Sequence, residues 1–509
     1  MKFIVIILLN FLLSSFGSGG SLSPAALERV RNLTLEGLHS AYNFDFDAAN
    51  KSFAMASEVE PLHPRPYVGK AMILLWRCLL NKNEADQQAF FFLADRAIDA
   101  AEKYQDQFGE DAESKLCLGT IYGYRAFVQG RAKSYIKAAW DGKKSHDYFN
   151  DALQLDPQTY DAYLGLGVFH YFLDFMPKPM RWVASLMGVS GDAVTGIKEI
   201  RIAAQKGIYC KIEAQYYLAQ FMPWMDGDFD SGEKILTELS NQYPANTLIE
   251  FTRAVWEIRR HDVLTAQRRL TSIVENNNSP LGDLKQYAQY KLAECYFRLG
   301  DYNNAKAMYQ SFLRNYSDET YRATSNYRIG ICYEIENNRD SALVYYRNAV
   351  RADRKFGDDA YSARKAQQML RSPLESADTL LLTMQNAIRS GDYEKARAAS
   401  SQLSSTTGIF SDMESEAEYL RGESHIEQQT YTLALPFFQS IASKKIEGEL
   451  WLLPWAHYQS GLCFKKLHDN KSAKREFEQA LDYDDYDFQN WLEFRSKREL
   501  MKIEKNSNR

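Results

Sequence analysis

Proline is scarce in this chain, 13 among 509 residues. So few helix breakers argue against a loop-rich or all-β protein and in favour of long uninterrupted helices. Cysteine is scarce as well, with six in all and no pair at CxxC spacing; no Cys/His spacing suggests zinc either. Charge of one sign is also missing: 61 basic against 66 acidic residues leave a formal net charge of −5. The chain therefore has no general attraction to phosphate, and nucleic acid is not an expected partner. Beyond the first residues no apolar run is long enough to span a bilayer. There is no HExxH, GxSxG, GxGxxG or Walker-type loop, and the eight histidines are scattered. No catalytic residue, cofactor or metal site is expected, and the chain reads as non-enzymatic.

What is present is aromatic and repetitive. Hydrophobic residues make up 45% of the chain, with 32 tyrosines and 28 phenylalanines. Two successive stretches within 286–350 superimpose: Ala293 on Gly330, Tyr296 on Tyr333, Ala305 on Ala342 and Tyr309 on Tyr346. A small residue midway along a first helix lets a second helix approach closely, and an aromatic fills the gap beside it. A short Gly-Asp or Asn-Asn turn joins the two. Such a pair cannot bury its apolar face alone, so copies must stack. With these positions matched, the stretch resembles the tetratricopeptide repeat, which implies an all-α, right-handed α-solenoid. Similar marks recur from Gly37 to Ala480, giving about eleven helix-turn-helix repeats. Residues 488–505 read as a C-terminal capping helix.

The N-terminus has its own composition. Lys2 precedes an apolar run, Phe3 to Phe16, followed by Gly17, Ser18, Gly19 and Gly20. That is the layout of a secretory signal peptide, assigned to 1–19. The expectation is an exported protein, periplasmic or outer-membrane-associated if bacterial and otherwise secreted. Cys295, Cys332 and Cys463 each lie two residues after the small residue of a first helix. Repeated positions of this kind predict buried thiols rather than disulfides.

The remaining chain divides into an N-terminal array, 25–208, with long helices and an insertion at 176–192; a regular array, 209–356; a possible hinge, 357–378; and a C-terminal array with its cap, 379–509. The insertion breaks a helix twice at Pro177 and Pro179, then offers Trp182 and Leu186 on a short apolar segment. With Gly188, Val189, Ser190, Gly191 and Asp192, it resembles a block of exported bacterial repeat proteins. It is also similar to one in the eukaryotic tetratricopeptide family linked to clearance at the mitochondrial outer membrane and lipid bodies. Possible peripheral membrane contact through this segment is the alternative function.

In tetratricopeptide arrays the first helices line a concave face that takes peptides or partner helices. By spacing, the residues beside the small-residue row are Tyr290, Glu294, Phe297 and Arg298, then Tyr327 and Glu334, and finally Trp455, Tyr458 and Lys465. Their mixture of aromatic anchors and charges suits a protein or peptide partner. The leading expectation is thus an exported, non-enzymatic scaffold.

Overall fold

The computed structural model describes residues 23–80, 83–174, 188, 190–225, 228–276, 281–316, 318–353, 357–406 and 411–507. Segment 1–19 and the insertion residues Trp182 and Leu186 lie outside them. Among the described residues there are 24 helices and no strand. The fold is all-α, a stack of helix pairs.

Two compact units divide the chain, Met1–Ile249 with Asn278–Gly282 and Glu250–Asn277 with Asp283–Arg509. The first pairs α1 (Pro24–Tyr42) with α2 (Phe46–Val59), α3 (Arg65–Leu80) with α4 (Glu84–Phe108) and α5 (Ala112–Arg131) with α6 (Tyr135–Leu155). Then come α7 (Ala162–Asp174) with α8 (Ala193–Lys206) and α9 (Lys211–Met225) with α10 (Phe229–Gln242). Next follow α11 (Thr247–Arg259) with α12 (Val263–Glu275), α13 (Gly282–Leu299) with α14 (Tyr302–Asn315), and α15 (Arg322–Ile335) with α16 (Arg339–Arg351). A single helix, α17 (Gly357–Met369), precedes α18 (Ser376–Arg389) with α19 (Tyr393–Ser404) and α20 (Ser411–Glu427) with α21 (Tyr431–Ala442). The pair α22 (Leu452–Lys466) and α23 (Asn470–Gln479) is closed by α24 (Gln489–Ser507).

The pairs are locked by a ring set over a glycine. A Cβ placed on Gly461 would lie 2.6 Å from the Phe477 ring, and one on Gly422 would lie 2.5 Å from Phe438. Gly330 meets Tyr346 in the same way, and Gly119 meets Phe149. The aligned residues Ala293, Ala305, Tyr309, Ala342 and Tyr346 are all fully buried. The alanines at the crossings admit the close approach, and the rings fill the space it leaves.

The turn inside eight of the pairs has a recurrent form. A residue in the left-handed region precedes an Asp, Asn, Ser or Thr that opens the second helix: Phe44–Asp45, Lys133–Ser134, His261–Asp262, Gly300–Asp301, Asn337–Asn338, Gly391–Asp392, Gln429–Thr430 and His468–Asp469. The carboxylates of Asp45, Asp262, Asp301, Asp392 and Asp469, and the Asn338 carbonyl, each accept from the N–H three residues on. These are ordinary N-caps. Six of the eight turns place a side chain where glycine is the cheapest residue.

The division into units groups α9 and α10 with the helices before them, because the segment after α10 reaches back to α1. Asn246 Nδ2 donates to the Tyr42 carbonyl at 2.7 Å, and the Ala245 N–H donates to Asn43 Oδ1 at 3.2 Å. The Tyr243 ring lies 5.2 Å from His39 and 5.9 Å from Tyr42. Residues 357–378, read above as a possible hinge, hold α17, whose Asp359, Ser362, Ala363 and Ala366 are buried. All six cysteines are free thiols, five buried and Cys210 partly so. Burial pushes the Cys295, Cys332 and Cys463 thiols up to about 12, which makes them inert.

Two substitutions test this account by urea denaturation. Gly461→Ala is expected to destabilise the second unit by about 1–3 kcal/mol, the usual result of overpacking, because the Phe477 ring has no room to retreat. Gln429→Gly is expected to stabilise it by up to ~1 kcal/mol, since the left-handed backbone then carries no Cβ.

Candidate functional site

In the second unit, side chains from the first helices reach helices far along the chain. Arg298 Nη1 donates to the carbonyls of Ile258 and Arg389, both at 3.3 Å. Asn386 Nδ2 donates to the Phe297 carbonyl at 3.1 Å. Arg364 pairs with Glu449 at 2.7 Å and with Asp487 at 2.8 Å, and Lys365 joins Glu449 at 3.0 Å. His261 Nε2 lies 3.2 Å from Glu427. This face is closed over by its own polar side chains.

The residues marked from spacing sit within that network. Tyr290 is 3% exposed and stacks on Tyr321 at 4.3 Å. Glu294 is buried between Lys291, at 2.8 Å, and Arg298. Burial alone would raise its carboxyl, but Lys291, Arg298 and Arg328 hold it well below the usual range. Phe297 is buried, with Tyr302 at 5.4 Å and the Arg328 guanidinium over its ring, also at 5.4 Å. Arg298 is spent on the contacts above. Tyr327 is partly buried beside Tyr346, and Glu334 is paired with Arg339. Tyr458 is buried, Trp455 is partly buried 5.9 Å from it, and Lys465 is paired with Glu499. Most of these side chains therefore brace the unit, and Arg298, Tyr327, Trp455 and Lys465 keep some access to solvent.

An aromatic group builds on the marked Trp455 with two residues, Trp491 and Arg495, that were not marked from the sequence. Arg495 of α24 lies 4.8 Å from the Trp491 ring and 5.9 Å from the Trp455 ring. Trp491 is 37% exposed. The buried Trp455 Nε1–H has no acceptor among the described residues. The only sequence signal was the DFQNWLEFRSKREL stretch, which reads equally well as a plain cap.

The first unit differs. Its first helices α1, α3, α5, α7 and α9 surround a chamber lined largely by apolar and small side chains. Glu213, in the first turn of α9, faces it; its partial exposure is to the chamber, and burial pushes its carboxyl up to about 7 from 4.5. His170 is not part of a ligand set, its Nδ1 lying 2.7 Å from Glu199. Among the described residues no group of three or more His, Cys, Asp and Glu is placed to hold a metal ion, and no helix is long and apolar enough to cross a membrane.

Residues 287–318 and 323–356 each match a tetratricopeptide repeat model. No curated protein matches the chain. Among solved structures, yeast Tom70 is similar at 11% identity, covering 86% of this chain and 89% of that one with a TM-score of 0.32. The anaphase-promoting-complex hetero-tetramer Cut9–Hcn1 is similar at 14% identity, covering 89% and 86%, TM-score 0.30. The human IFIT1 dimer with m7Gppp-AAAA is similar at 12% identity, covering 91% and 95%, TM-score 0.29. Likenesses of this size do not extend to function.

Glu213 carries a pH signature. Its folded carboxyl titrates above its unfolded value, so its stabilising contribution is complete below about pH 4.5 and is lost as pH rises through about 7. Thermal melting should therefore fall between those limits more steeply in the native chain than in Glu213→Gln, by a difference of roughly 1–3 kcal/mol. Parallel melting curves for the two proteins would refute the assignment.

Proposed function

We propose that the chain is a non-catalytic helical-repeat scaffold holding a protein or peptide partner on the first-helix side of its second unit. The observation that carries this is the Trp455–Arg495–Trp491 cluster, where two indoles and a guanidinium meet at a partly exposed surface. Trp and Arg are the residue types that dominate binding energy at protein interfaces. Lys465 and Tyr327, which keep some access to solvent, would contribute at the rim. The buried members of the spacing set, such as Tyr290 and Glu294, hold the framework on which these groups stand. The apolar run at 3–16 supports export of the chain, and with it a partner outside the cytoplasm.

The test is photocrosslinking in the native cell from position 491, followed by binding of the purified partner. A discrete protein adduct is expected, with Arg495→Ala weakening that partner by about 2 kcal/mol while leaving the melting temperature unchanged. The absence of any adduct, or an Arg495→Ala variant that binds as tightly as the native chain, would defeat the reading.

A further inference from the structure

The chamber in the first unit has features that helix packing does not require. Its volume is about 790 Å³, within the roughly 300–1,000 Å³ typical of small-molecule sites. One side, made by the end of α5, the first half of α6 and the end of α7, is mainly apolar, with Phe127, Ile136, Ala139, Phe169 and Phe172, and carries Arg131 and Lys143 as its charged groups. Glycine also faces inward there. A Cβ on Gly130 would meet nothing within 4 Å, whereas one on Gly119 of the same helix would strike Phe149 at 2.7 Å. Ile136 is 78% exposed and Tyr135 is exposed beside it, although both line the chamber, so this side opens to solvent.

The opposite side is polar and incomplete. Thr34 Oγ1 and Tyr42 Oη of α1, and Arg65 Nη2 at the start of α3, are buried without a hydrogen-bond partner among the described residues. All three residues line the chamber and are at least nine-tenths buried. Tyr124 and Cys210 interact electrostatically with both Tyr42 and Arg65, so those two groups belong to one region. Native proteins rarely leave three buried polar atoms unsatisfied at one place.

Charge decides what would satisfy them. Arg65 is already neutralised by Glu113, with Nε at 2.7 Å from Oε1, and its guanidinium lies 4.2 Å over the Tyr209 ring. A ligand anion would bring a second negative charge beside Glu113, in surroundings that penalise uncompensated charge. An uncharged oxygen-bearing head adds none. It can accept from Arg65 and exchange hydrogen bonds with Tyr42 and Thr34, while its chain lies along the apolar side.

We infer that the first unit binds one uncharged single-chain amphiphile, a lipid with a hydroxyl or ester head such as a monoacylglycerol. The hydroxyl-ester head would sit against Arg65, Tyr42 and Thr34, and the acyl chain would run toward Ile136. This site is separate from the partner surface of the second unit and does not depend on it.

Binding of monoolein, oleate and hexadecane to the purified full chain tests the proposal, by displacement of an environment-sensitive fluorophore and by native mass spectrometry. One monoolein per chain is expected. Gly130→Leu should weaken it at least tenfold without lowering the melting temperature, because the new side chain enters the chamber and leucine favours the helix. Tyr42→Phe should weaken monoolein several-fold and leave hexadecane unchanged, since the hydroxyl it removes has no partner among the described residues. Oleate binding more tightly than monoolein at pH 8 would overturn the charge argument. Equal monoolein affinity in the native chain and Gly130→Leu would overturn the site.

Discussion

The constraint that recurs most often in this molecule is an aromatic ring occupying the space that a glycine leaves by having no Cβ. The contact does more than close a pair. Phe53 of α2 lies against Gly37 of its own partner and also against Gly69 of the following first helix. Phe149 of α6 does the same with Gly119 and Gly165. At these two places one ring joins three helices, and the pair is completed by its successor. That shared ring is the physical reason a single pair cannot stand alone and an array can.

The local half of this arrangement was legible in the sequence. Gly330 and Tyr346, or Gly422 and Phe438, announce their contact through spacing alone, because a helix fixes which residues share a face. The pairs and the final helix follow from those marks. The left-handed turns were read where glycine or asparagine stands, at Gly300, Asn337 and Gly391. Phe44, Gln429 and His468 adopt the same backbone without a compositional signal, since the following cap and the packed helices offset the strain.

The binding face was much less legible. Whether Tyr290 or Glu294 meets solvent depends on how tightly successive pairs turn, and that is the sum of small rotations over many repeats. No window of sequence contains it. Arg298 reaching Arg389, or Arg364 reaching Asp487, shows a turn tight enough for distant side chains to meet. The chamber was hidden for a related reason. The small residues between Gly119 and Gly142 look like packing glycines, and only the structure distinguishes Gly119, which receives a ring, from Gly130, which faces space. Arg65 and Glu213 gave no sign at all, the first sharing its helix with Lys70 and Arg77 and the second with Lys211.

The long-range bridges of the second unit bear on its mechanics. A plain helical solenoid behaves as a spring, because each coil touches only its neighbours and extension is shared among many soft interfaces. Here Arg364 is tied to residues 85 and 123 positions away, and Arg298 to one 91 positions away. The coils are laced together, so a pull on the ends is borne first by these few ion pairs and hydrogen bonds. The unit is then stiff at small strain and yields abruptly once the lacing parts.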